Sequence, residues 1–138
     1  MRFLPHVTVA TIVERQGRFL MVEEISGNSV VFNQPAGHLE ADESLMQAAL
    51  RETLEETAWT VELTGVTGIY LFRGANGETY QRTCFSADAL EHRPELPLDD
   101  GILAAHWLTL EENRALESRL RSPLVLHCIL ENLNQPRY

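Results

Sequence analysis

The stretch GHLEADESLMQAALRETLEETAW, residues 37–59, constrains this chain more than any other. It opens on a glycine, passes through an acidic loop and turns helical at Ser44, where Ser44 and Gln47 have capping-box spacing. At about 100° per residue, Leu45, Ala48, Ala49, Glu52, Glu56 and Trp59 share one stripe, with Glu55 at its edge. Six acids lie between positions 40 and 56, against one base, Arg51. Carboxylates three and four residues apart are neighbours on a helix, and like charges at that spacing destabilise it by about 0.2–0.5 kcal/mol per pair. Near a helix C-terminus they also oppose the dipole. The fold must either leave this patch in water or set a cation against it. Hard oxygen donors beside a loop rich in backbone carbonyls suit Mg²⁺, or Mn²⁺ in its place. A solvated acidic face is the other reading. Met46, Leu50 and Thr53 form a second apolar stretch, which predicts a helix covered on two sides.

The segments on either side alternate with the period of strands. Val7 to Val13 and Phe19 to Val22 surround Arg15-Gln16-Gly17 as in a hairpin. Val30 to Phe32 is a short strand, and Asn33-Gln34-Pro35-Ala36-Gly37 breaks regular structure. Gly68 to Phe72 and Thr79 to Ser86 flank an Asn76-Gly77 turn. A polar loop from Glu91 to Asp100 precedes a last strand, Leu103 to Leu108. Thr109 with Glu112 repeats the capping box, and Ser122-Pro123 starts a third helix. This order predicts one mixed α/β or α+β domain over residues 1–138.

Composition removes several classes of function. The net charge of −9 argues against a nucleic acid polymer or an anionic membrane as partner. All 11 basic residues are arginine, so a phosphate loop ending in Gly-Lys is excluded, and an anionic substrate must be met by arginine, backbone N–H groups or metal. No apolar run approaches the roughly 20 residues of a bilayer span, and the N-terminus lacks a signal-peptide pattern. Cys84 and Cys128 stand apart without a CxxC pair, which reads as reduced thiols in a cytoplasmic protein.

The residues of the 37–59 stretch resemble the Nudix hydrolase signature, G-x5-E-x7-R-E-U-x-E-E-x-G-U with U a bulky aliphatic residue. Gly37, Glu43, Arg51, Glu52, Glu55 and Glu56 match; Thr53 and Trp59 replace bulky aliphatics, and Ala58 replaces the second glycine. The departures fall on packing and helix-end positions. HVTVATIV, FNQPAGHLEADE and RSPLV further resemble the NudJ-type bacterial phosphatases. The resemblance implies an α+β fold, an α/β/α sandwich with a central mixed sheet between helices. It also implies Mg²⁺-dependent hydrolysis of nucleoside di- or triphosphates, or of thiamine-pathway pyrimidine diphosphates, with release of phosphate. The alternatives are a triphosphatase releasing pyrophosphate and a nucleotide-sensing domain without turnover; intact glutamates favour catalysis. Marks of the ADP-ribose and dinucleoside-polyphosphate enzymes are absent near Gly74 to Gly77.

Carried over by position, Glu52, Glu55, Glu56 and the Ala36 carbonyl would bind metal. Glu43 and Arg51 would fix the loop to the helix. Arg51 lies about 100° around the helix from Glu52, away from the carboxylate patch. Arg82, mid-strand, reads equally as a phosphate ligand or as half of a surface ion pair. Asn33 reads as a pocket residue and Phe32 as core. Asp99 and Asp100 are expected as solvated loop charges. The small-molecule diphosphate is the expected partner of a monomer or homodimer.

Overall fold

Turn chemistry sets the first hairpin. Gln16 and Gly17 both take positive φ, 53° and 77°, the pair that a two-residue I′ turn needs. They join β1 (His6–Arg15) to β2 (Arg18–Ser26) in the computed structural model, which describes residues 2–134. There follow β3 (Ser29–Asn33), β4 (Ala36–His38), α1 (Leu45–Thr57), β5 (Trp59–Arg73), β6 (Thr79–His92), β7 (Ile102–Thr109), α2 (Leu110–Ala115) and α3 (Pro123–Asn134). β1 runs parallel to β6 and antiparallel to β4, and β6 is antiparallel to β5. β2 pairs antiparallel with both β3 and β7, and joins β1 only through Glu14↔Phe19 and Arg15↔Arg18. The result is the mixed sheet of an α+β sandwich.

Both faces of the sheet are buried, which explains the near-continuous apolar runs of its strands. On one face Val9 and Phe85 pack against Ala48 and Ala49 of α1. On the other, Ala10, Ile12 and Cys84 pack against Val125, Cys128 and Ile129 of α3. Successive residues of β1 thus alternate between the two helices. The two cysteines do not stand apart in space: both are free, and their sulfurs lie 3.0 Å from each other between β6 and α3.

The capping boxes form as their spacing predicts, at Ser44/Gln47 and at Thr109/Glu112. The second covered side of α1 does not form: Thr53 is buried, but Met46 and Leu50 are 58% and 41% exposed. Trp59 leaves the helix stripe as well, because α1 ends at Thr57 and Trp59 begins β5. The strands run beyond the sequence expectation, and three depart from it most. β5 begins at Trp59 rather than Gly68, β6 runs on to His92, and the supposedly irregular Ala36–His38 pairs with β1 as β4.

Ala58 ends α1 in the left-handed region (φ 62°), and its N–H donates to the Leu54 carbonyl at 2.9 Å. An alanine Cβ is disfavoured there, since the left-handed conformation costs about 1–2 kcal/mol for residues other than glycine. Ala58→Gly is expected to raise stability by about 1 kcal/mol, after glycine's greater chain entropy is set against that relief. A urea midpoint that fails to rise would show that the alanine is unstrained.

Candidate active site

Register places the site residues. Thr8 of β1 pairs with Arg82 and His38 on either side, and the row nearer the core holds Ala10, Cys84 and Ala36. The core row is covered by α3. The rows beyond it form the floor of a cleft of about 680 Å³, lined by Thr8, Arg82, Ala36, Glu52, Glu56 and Arg121 among others. That volume suits a small-molecule site.

Glu52 and Glu56 reach this cleft from α1, passing the short edge strand β4. Glu56 is 8% exposed, and its Oε1 accepts the Ala36 N–H at 2.9 Å. The bond fastens the loop to the helix. Gly37 lies against Glu52 so closely that a Cβ there would stand 2.2 Å from its carboxylate. Absence of a side chain at position 37 is what lets the carboxylate sit on the loop. Glu55 is not among the lining residues; it is partly exposed, and its Oε1 accepts from Arg51 Nη1 at 2.8 Å.

Arg51 joins these groups and does not point away from them. Its Nε and Nη2 fork onto Glu43 at 2.6 and 3.0 Å, Nη2 also reaches the His38 carbonyl at 3.1 Å, and Nη1 donates to Glu52 at 2.6 Å. Angular separation of Cα positions misleads for so long a side chain, because the guanidinium can wrap across a full helix turn. Glu43 is held below its ordinary pKa, first by the Arg51 hydrogen bond. The Arg51 guanidinium is raised, chiefly by Glu43. Among the described residues no three His, Cys, Asp or Glu side chains already form a cation cage; Glu52 and Glu55 are engaged by Arg51 instead.

Burial raises Glu52, with Arg51 opposing it. Glu56 is pushed up to about 8, foremost by burial, then against the Ala36 N–H by the charges of Glu52, Glu24 and Asp99. Folding therefore tightens the hold of Glu56 on its proton relative to the ordinary value of 4.5. The corresponding stability is fully present below the unfolded pKa and is lost as pH rises through the folded one. In chelator, the stability of wild type relative to Glu56→Gln should fall by up to about 1.4 kcal/mol per pH unit between about pH 5 and 8. Urea titrations giving a difference independent of pH would contradict this.

Arg82 is neither on the surface nor in an ion pair among the described residues. It is 6% exposed, and its Nη2 donates to Gln34 Oε1 at 2.5 Å and to Asn33 Oδ1 at 3.4 Å. Its Nε is buried and has no hydrogen-bond partner among the described residues. Asn33 is a cleft residue, and Phe32 a core one, as expected. Asp99 is exposed, yet its N–H donates to the Glu55 carbonyl at 2.9 Å, bringing its charge to bear on Glu52 and Glu56.

Sequence reasoning missed Glu24 and Arg121. Glu24 is 8% exposed in the cleft and accepts from Arg121 Nη1 at 3.0 Å. The signal was a glutamate continuing the buried run Phe19 to Val22 of β2.

A family model for the NUDIX domain matches residues 2–127. The chain belongs to the Nudix family. Among its Nudix relatives, Phosphatase NudJ of Escherichia coli strain K12 is 39% identical over 127 residues, covering 92% of this chain and 82% of that protein. The Phosphatase NudJ of Shigella flexneri shows the same values, 39% over 127 residues. A solved Nudix hydrolase from Nitrosomonas europaea superposes with a TM-score of 0.95 at 44% identity, covering 98% of this chain and 93% of that one. A MutT Nudix hydrolase from Burkholderia pseudomallei shares the fold, with a TM-score of 0.78 at 21% identity over 94% of this chain and 98% of that one. This Nudix chain is a NudJ-like hydrolase acting on phosphoanhydride bonds.

Proposed function

We propose that the chain is a divalent-cation-dependent phosphatase that removes inorganic phosphate from nucleoside di- and triphosphates or thiamine-pathway pyrimidine diphosphates. The observation that carries the reading is the pairing of a buried acid, Glu56, with the Gly37-seated carboxylate of Glu52 on one side of a cleft that has Arg82 in its floor. Likeness to Phosphatase NudJ supports the phosphatase half of it.

Mg²⁺ fits this donor set, and Mn²⁺ is the substitute. A buried carboxylate, Glu56, and a half-buried one, Glu52, that repel each other, with hard oxygens and without sulfur or imidazole, match what such ions prefer. Glu52, Glu56, the Ala36 carbonyl and, by its motif position, Glu55 would hold them. Bound ions would neutralise diphosphate charge and lower the pKa of an attacking water. Glu52, by its motif position, or another of these glutamates would orient that water or take its proton. Arg51 and Glu43 position the loop and Glu52, a supporting role that fixes ligands rather than touching substrate. Arg82, always charged, offers its guanidinium to a phosphate oxygen, with Asn33 beside it. The reading places the enzyme in the cytoplasm, where its free thiols stay reduced.

The test is product analysis. Incubation with an aminopyrimidine diphosphate, thiamine diphosphate or nucleoside di- and triphosphates should release phosphate, while ADP-ribose, whose diphosphate is esterified at both ends, should be a poor substrate. Pyrophosphate as the main product from triphosphates, or ADP-ribose as the best substrate, would overturn the phosphatase reading.

A further inference from the structure

Beyond Arg82 the cleft floor ends in a row of rings. His6, Tyr80 and Phe72 are register partners across β1, β6 and β5. Tyr80 stacks on His6 with centroids 5.0 Å apart and planes 28° from parallel, and on Phe72 at 5.4 Å and 20°. His38 sets its ring edgewise to Tyr80 at 6.3 Å. Phe72, Tyr80 and His38 all line the cleft. They belong to the sheet face that α3 covers further in, at Ala10 and Cys84, and among the described residues no helix packs over them.

We propose that this row is the subsite for the organic group of the substrate, and that it selects a planar aromatic or heteroaromatic ring. The inference rests on the diphosphatase reading above and adds the specificity element to it. Three observations converge. First, the rings are held in place. Asn76 Nδ2 donates to the Tyr80 hydroxyl at 2.8 Å, while Asn76 Oδ1 accepts the Glu78 N–H at 2.9 Å, so the β5–β6 turn braces the central ring. A braced platform loses little entropy when a ligand ring settles on it. Second, both faces of Tyr80 are taken, but Phe72, on the outer strand β5, has a ring partner on its Tyr80 side alone among the described residues. A ligand ring can continue the stack there or meet the row edge to face, the arrangements aromatic pairs prefer. Third, the spacing suits a diphosphate ester. Tyr80 and Arg82 point to one face two residues apart, about 7 Å along the strand, which separates a ring from the first phosphate that follows it. The chain then reads from ring row to Arg82 to Glu52 and Glu56 across a single cleft.

The experiment compares uridine diphosphate with 3-methylbutyl diphosphate, which offers the same diphosphate without a ring. Hydrolysis and calorimetric binding are measured for wild type, Phe72→Ala, Phe72→Leu, Tyr80→Ala and Tyr80→Phe. The ratio of kcat/KM for the aromatic over the alkyl compound should fall about tenfold in Phe72→Ala and Tyr80→Ala, mainly through KM, as expected for loss of a stacking contact. Tyr80→Phe should recover the ratio, and Phe72→Leu, which keeps bulk on an outer strand, should lower it even if the alanine variants fold poorly. A ratio unchanged in all variants, or equal losses for both compounds, would overturn the proposal. If wild type hydrolyses neither compound, the phosphatase reading fails, and the calorimetric affinity ratio then decides the subsite by the same criterion.

Discussion

Glu56→Gln is expected to lower turnover of a diphosphate at least a hundredfold while the fold survives, the lower range for loss of a group engaged in proton transfer. Glutamine keeps the shape and an oxygen to accept the Ala36 N–H, which Glu56 binds at 2.9 Å. What it loses is the ability to become an anion in a site 8% exposed. An amide is a poor ligand for a hard cation where a carboxylate is a good one. Circular dichroism should be unchanged and saturating Mg²⁺ should not restore the rate. Full activity at saturating substrate would leave Glu56 a merely structural acid.

Gly37→Ala should cost activity on a similar scale by another route. The added methyl would stand 2.2 Å from the Glu52 carboxylate, so that carboxylate must move. Its side chain is flexible, and the fold should lose no more than about 1 kcal/mol, within the range of an ordinary substitution. The carboxylate is nevertheless displaced by an ångström or more from the loop, and misplacement on that scale costs roughly a hundredfold in rate. Kinetics and urea unfolding on one preparation separate the two effects. An active variant would mean that Glu52 works from a position away from Gly37; a strongly destabilised one would mean that the loop cannot yield.

Local chemistry was legible in the chain wherever a short motif decides it. Both capping boxes, the Gln16-Gly17 and Asn76-Gly77 turns and the start of α3 follow from residues within four positions of one another. The signature glutamates could be placed on α1 for the same reason. What depends on contacts between distant segments was not legible. β4 is three residues long and exists because β1 offers it a partner. The start of β5 was hidden because Trp59 reads as the end of the helix motif, although Trp59, Val61 and Leu63 alternate with polar residues. Arg82 is the clearest case. Its sequence neighbours do not reveal that it is buried against Gln34 and Asn33, because that contact comes from the segment after β3, where Gln34 is tied to the Val125 carbonyl of α3. Arg51 shows the opposite limit: its helix position was known, but a side chain of that length is not confined to the face its Cα occupies.

In the proposed function, carboxylates on α1 work with a divalent cation to release phosphate from a diphosphate. The most direct measurement strips the protein with chelator, supplies a nucleoside diphosphate and follows inorganic phosphate while Mg²⁺ is added stepwise. Turnover should be absent at first, rise saturably with Mg²⁺, and stay at least a hundredfold lower throughout in Glu56→Gln. Undiminished phosphate release in excess chelator would show that the carboxylates work without a cation.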